Sequence, residues 1–195
     1  MTHGVGITDA KTALEALEDM TLNVQPITLE EYQARVDKAQ TLMRAKGIDA
    51  MYLNAGTNLE YFTGLKWYPS ERLVGAIVPV EGAVTLIAPA FEIGSLTQAM
   101  KLPMKTLLWD EHESPYDYFI EFLKENELTK GKLALDESSS YSIVSNLEER
   151  YPAAQMCDAK VITAECRMHK SKAELALIQT AMDMTMAVHR ATGAM

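Results

Sequence analysis

Two apolar runs, Leu73–Val80 and Ala83–Ala88, are separated only by Glu81-Gly82. A gap that short leaves room for a tight turn and nothing else, so the runs must pair as an antiparallel hairpin. The remaining strand-like segments are isolated from one another by helical patterns. Ile48–Leu53 is short and almost continuously apolar, as expected of a strand buried on both faces. Further strands are expected around Lys105–Trp109, Lys132–Leu135 and, as a short edge, Gln155–Cys157.

Between them lie segments with helical spacing. Thr28 followed by Glu31 has the form of a capping box, and Leu29, Tyr32, Val36, Ala39 and Met43 recur along one face until Gly47 stops the helix. A helical piece is expected near Phe91–Met100. Another opens at Ser114-Pro115, with the proline in the tolerated first turn, and carries Tyr116, Phe119, Ile120 and Leu123. Ser138–Ser140 cap a helix bearing Tyr141, Val144 and Leu147, and residues 8–21 have the pattern of a short helix before Gln25-Pro26. Alternating strands and helices with one hairpin define a three-layer α/β domain around a mixed sheet. No internal repeat or low-complexity linker interrupts it.

The last helix stands apart. Ser171 and Glu174 form a second capping box, and Leu175, Ile178, Met182, Thr185 and Val188 recur down one side. Such a stripe must bury itself against something. Either it folds back on the α/β domain or its partner lies outside these residues.

Composition narrows the class. The 195 residues are 48% hydrophobic and 23% charged, the balance of a globular chain with one good core. A formal charge of −9 opposes non-specific nucleic-acid binding, which needs cations to neutralise phosphates. No run approaches the roughly 18 apolar residues of a membrane span. The start, Met1–Ala10, lacks a basic stretch followed by an apolar one, so no secretory leader is expected. Cys157 and Cys166 read as reduced thiols in a cytoplasmic protein.

Several segments imitate catalytic motifs. Asp110-Glu-His-Glu113 has metal-ligand residue types, but it lies between a strand and a helix start, where carboxylates favour the positive helix end, and reads as a solvated loop. His189 follows Asp183 by six positions, which does not place them on one helix face. His169 lies among lysines. Gly4-Val-Gly6 follows no strand and is not a phosphate loop, and Ser138–Ser140 lack a nucleophile-elbow setting.

Asn58-Leu-Glu-Tyr-Phe-Thr-Gly64, Ser70-Glu-Arg72 leading into a strand, Pro89-Ala-Phe-Glu92 and Arg167-Met-His-Lys-Ser-Lys-Ala-Glu174 occur in that order after Gly47-Ile-Asp-Ala. This ordered set resembles the N-terminal domain of the creatinase, Xaa-Pro dipeptidase and aminopeptidase P family, with its ribonuclease-H-like α/β fold. The resemblance implies an N-terminal extension over 1–26, a creatinase-like domain over 27–167, and over 168–195 the junction and first helix of a catalytic "pita-bread" domain. That domain, which in relatives holds two divalent metals (Mn, Co or Zn), is expected to be missing, so the chain alone should be non-catalytic and hold no metal. The resemblance also implies a homodimer acting on short Xaa-Pro peptides. Trp67, Tyr68 and Arg72 of one subunit would shape the substrate pocket of the other. The alternative is that Trp67 and Tyr68 cover the sheet end while Arg72 pairs with Glu71 or Glu92. Two other functions remain open: a stand-alone peptidase-like binding module, and the N-domain of a creatinase-type amidinohydrolase.

Overall fold

The structure is a computed structural model that describes residue 6 and residues 8–195. It divides into two compact units, Thr28–Met168 and a second that joins the residues up to Ile27 with His169–Met195. Gly4 and Val5 lie outside the described residues.

The larger unit begins with α2 (Leu29–Lys46), after the short α1 (Ala10–Glu15) of the other unit. Thr28 accepts from the Glu31 N–H, and Gly47 closes the helix in the left-handed region at φ 63°. Val36, Ala39 and Met43 are buried as their spacing requires, while Leu29 at the helix start is exposed. Two polar residues are buried with them. Arg35 donates to Tyr61 O at 2.7 Å and pairs with Glu31 at 2.6 Å, and Gln40 donates to Pro79 O and Gly82 O at 3.0 and 2.9 Å. Gln40 thereby ties the helix to the hairpin turn.

The six strands are β1 (Ile48–Asn54), β2 (Gly75–Pro79), β3 (Thr85–Pro89), β4 (Lys105–Trp109), β5 (Lys132–Leu135) and β6 (Gln155–Asp158). They lie in the order β4-β3-β2-β1-β5-β6. β2 runs antiparallel to both neighbours, and every other pairing is parallel. The antiparallel hairpin forms, but residues 80–84 connect its strands in place of a two-residue turn, because the Val80 N–H donates to Asp49 O and Gly82 O accepts from Gln40; the sheet is mixed.

Strand side chains alternate between faces. Met51 and Leu53 join α2, α3 (Thr57–Thr63), α4 (Ile93–Ala99) and α7 (Lys160–Arg167) through Met43, Phe62, Leu96 and Ile162. Ala50 and Tyr52 point the other way, toward α5 (Pro115–Glu125) and α6 (Tyr141–Arg150) through Phe119, Leu123 and Leu147. Helices therefore cover both faces, giving the three layers.

Differences from the sequence expectations have local causes. The second strand starts at Gly75 because the carbonyls of Leu73 and Val74 serve other partners, the Trp109 indole N–H and the Ala55 N–H. The N-terminal helix is only Ala10–Glu15 rather than 8–21, because Asp19 turns the chain by accepting from the Thr21 N–H and hydroxyl. α3 and α7 arise in segments that carry no long helical pattern. Gly64, at φ 71°, terminates α3.

In the smaller unit, Ser171 and Glu174 form the expected reciprocal capping box at the start of α8 (Lys172–Ala194). None of the helix's residues is fully buried, and Leu175, Ile178, Met182 and Val188 are exposed.

Candidate functional site

In the larger unit, the carboxyl ends of the adjacent parallel strands β1 and β5 open into a cavity of about 490 Å³. In open α/β sheets this is where a crevice forms, because the connections leave the strand ends in different directions. Asn54 ends β1, Ser138 follows β5, and α3 begins at the rim.

The cavity floor is a chain of hydrogen bonds. Asp136 is 3% exposed, yet its carboxylate is satisfied. One oxygen accepts from the Ser138 N–H at 2.8 Å and hydroxyl at 2.7 Å, and the other accepts from the Asn58 amide at 3.1 Å. Asn58 in turn accepts from Arg167 Nη1 at 2.7 Å, so a neutral amide bridges a buried carboxylate and a guanidinium. Such a link compensates the cost of withdrawing two opposite charges from water. Asn54 donates to Ser138 O at 3.3 Å, and Tyr52 reaches Asn54 Oδ1 at 3.2 Å. Burial, and then the Asp136 charge, pushes the Tyr52 phenol well above its usual value, so it stays protonated. Tyr61 donates to Cys166 O at 2.9 Å and fixes the end of α7 beside Arg167.

One wall is aromatic. Trp67 is half-buried against the first core cluster, and Tyr68 is 75% exposed. Lys66 and Pro69 flank them at the cavity edge, with Glu60 and Glu137 also lining it. The structure thus brings Trp67 and Tyr68 together at the cavity. Arg72 lies outside its lining. Its guanidinium pairs with Glu71 and with Glu111, the latter at 2.7 Å, and lies 5.2 Å from the Phe91 ring centre. The hydrogen bonds it donates to Glu111 raise its already high pKa. The ion pair with Glu71 is one the sequence offered; Glu111 comes from the acidic Asp110–Glu113 loop.

The rest of that loop behaves as a turn. Glu113 accepts from the Asp110 N–H and the Tyr118 hydroxyl, which holds its carboxyl below the usual range. His112, His169 and His189 are exposed. Ser140 caps α6, while Ser138 serves Asp136. Among the described residues no group of three or more His, Cys, Asp or Glu side chains is arranged to hold a metal ion. No helix among them is long and apolar enough to cross a membrane. Cys157 and Cys166 are unpaired thiols, and burial pushes both upward in pKa.

Periodicity alone missed Asn54, Asp136 and Arg167. Asp136 carried one signal, a lone acid directly after an apolar strand. Asn58 and Arg167 stand in two separate recurring motifs, and the fold places them in contact.

Comparison with known proteins agrees with this architecture. Residues 35–169 match the model of the creatinase/prolidase N-terminal domain. An Xaa-Pro dipeptidase from Pyrococcus furiosus is 25% identical over 151 residues, 77% of this chain and 39% of that protein. The recombinant prolidase of Thermococcus sibiricus superposes with a TM-score of 0.66 at 27% identity, over 74% of this chain and 39% of that one. The isolated N-terminal domain of a Lactobacillus brevis Xaa-Pro dipeptidase shares the fold, with a TM-score of 0.59 at 17% identity over 69% of this chain and 99% of that one. The chain spans about two fifths of the length of the curated dipeptidases it matches. With the match covering most of its length, the chain belongs to the creatinase/prolidase N-terminal domain family.

Proposed function

We propose that this domain serves a cytoplasmic Xaa-Pro dipeptidase or aminopeptidase-like enzyme, shaping the peptide pocket and pairing subunits. The observation that carries the reading is the Trp67–Tyr68 wall beside a polar cavity at the ends of β1 and β5. Aromatic faces suit the pyrrolidine ring of proline, and the amides of Asn54 and Asn58 suit a peptide backbone. Across a homodimer, Trp67, Tyr68 and Arg72 of one subunit would bound the substrate of the other.

The family resemblance implies two Mn, Co or Zn ions, and the side chains described here do not form a set that fits them. No catalytic step is therefore assigned to this domain, and the helix α8 is read as the opening of the catalytic domain.

The test uses the whole enzyme carrying Trp67→Ala and Tyr68→Ala. KM for Xaa-Pro dipeptides should rise roughly tenfold, equivalent to about 1.4 kcal/mol of lost binding, while longer peptides become better substrates. Unchanged KM and unchanged length selectivity would refute the pocket-shaping role. Sedimentation of the same enzyme as a monomer would remove the cross-subunit part.

A further inference from the structure

The described residues up to Ile27 join His169–Met195 in one compact unit, and α8 has two different faces. The large apolar residues Leu175, Ile178 and Met182 are exposed. Apart from the capping Glu174, the half-buried residues are instead Ala173, Leu177, Thr180, Ala187, Ala191 and Ala194, which recur at three-, four- and seven-residue steps along the opposite side. The N-terminal segment lies along this alanine-rich face. Thr8 N–H donates to Ala194 O at 3.0 Å at one end of the helix. Met20, Asn23, Val24 and Gln25 share a cavity of about 230 Å³ with Ala173, Ala176, Leu177 and Thr180 at the other. The segment therefore runs antiparallel along nearly the whole helix, a span of roughly 35 Å. Small side chains permit that approach. At Gly6 it is so close that a Cβ would lie 2.0 Å from Ala194 O.

We propose that residues 8–25, together with Gly6, are a strap whose docking orders α8, so that the two segments gain and lose structure together. The hold is slight. Among the described residues of the strap Ala13 is the only fully buried hydrophobic one, and Leu14 and Leu22 are 56% and 81% exposed. An element with so few buried contacts opens at low free energy. The strap is thus a releasable clip, and its release bares the alanine face of α8.

Amide hydrogen exchange on the full chain tests this, with the strands β1–β3 as an internal measure of intact folding. Ala13→Glu and Gly6→Ala should each accelerate exchange across residues 177–191 by at least tenfold and leave β1–β3 unchanged. Leu22→Ala, at an exposed position, should change neither. Exchange in α8 that is unaltered by both A13E and G6A overturns the proposal. So does acceleration of α8 by L22A equal to that by A13E, since a contact-specific strap would not respond there.

Discussion

Arg167 and Asn58 stand 109 positions apart and meet through a 2.7 Å hydrogen bond at the end of α7. The bond joins the last helix of the larger unit to the first turn of α3, and through Asn58 to the buried Asp136. Replacing Asn58 with Leu keeps the branched shape and heavy-atom count and deletes both bonds. It leaves the Asp136 carboxylate short of a donor, so the expected loss is about 2–3 kcal/mol, read from the urea midpoint. A change within about 0.5 kcal/mol would mean the amide bridge carries no net energy.

Two glycines separate close packing from backbone freedom. A Cβ at Gly75 would lie 2.3 Å from Leu53 O and 2.6 Å from the Tyr52 ring, both in the packed interior. Gly75→Ala should destabilise by about 3 kcal/mol, the upper end for overpacking. Gly94 is helical and meets nothing within 4 Å, so Gly94→Ala should add roughly 0.5–1 kcal/mol. Thermal melts of the pair should shift in opposite directions.

Thiol chemistry should divide the two cysteines. Cys157 is half-buried and Cys166 is 2% exposed, so an aromatic disulfide reagent should modify Cys157 first and Cys166 only on opening. Both folded pKa values are raised by burial. Their contribution to stability is full below the unfolded thiol value of about 8.5 and is lost as pH rises through the folded values. Equal labelling rates at neutral pH would contradict the burial.

Glu113 carries the opposite sign. Its pKa is depressed first by the Asp110 N–H and then by the Tyr118 hydroxyl. Folding favours its carboxylate, so the contribution is present above the unfolded Glu value of about 4.3 and is lost as pH falls through the folded value. In Tyr118→Phe the Glu113 titration, followed by NMR, should move up toward the ordinary carboxylate range. An unmoved titration would discard the hydrogen bond as a cause.

Much of the sheet was legible because strand burial in β1, β2 and β3 leaves nearly unbroken apolar runs, and the Glu81-Gly82 gap admits one connection. α3 and α7 were not legible. Each is about two turns long, and α3 depends on Gly64 and on a Thr63 hydroxyl that accepts from the Leu65 N–H and donates to Leu59 O. The polar floor escaped for a related reason. Asn58, Asp136 and Arg167 have no shared spacing in sequence; the parallel pairing of β1 with β5 brings Asp136 beside Asn58, and the Tyr61 hydrogen bond to Cys166 O holds the end of α7 with Arg167 next to them. On α8 the reading of large apolar residues identified the open stripe, whereas the face in contact carries Ala173, Ala187, Ala191 and Ala194 with Leu177 and Thr180.

The first strand of the chain occupies the middle of the sheet. β1 finds β2 soon after it is made, but its parallel neighbour does not begin until Lys132. At ribosomal rates of about 5–20 residues per second, that wait is on the order of ten seconds. Throughout it the apolar edge Ile48–Asn54 has backbone donors and acceptors with no strand beside them, the condition that recruits foreign strands. The half-synthesised chain, rather than the finished one, is therefore the sticky species, and expression conditions that slow translation between β4 and β5 lengthen its exposure.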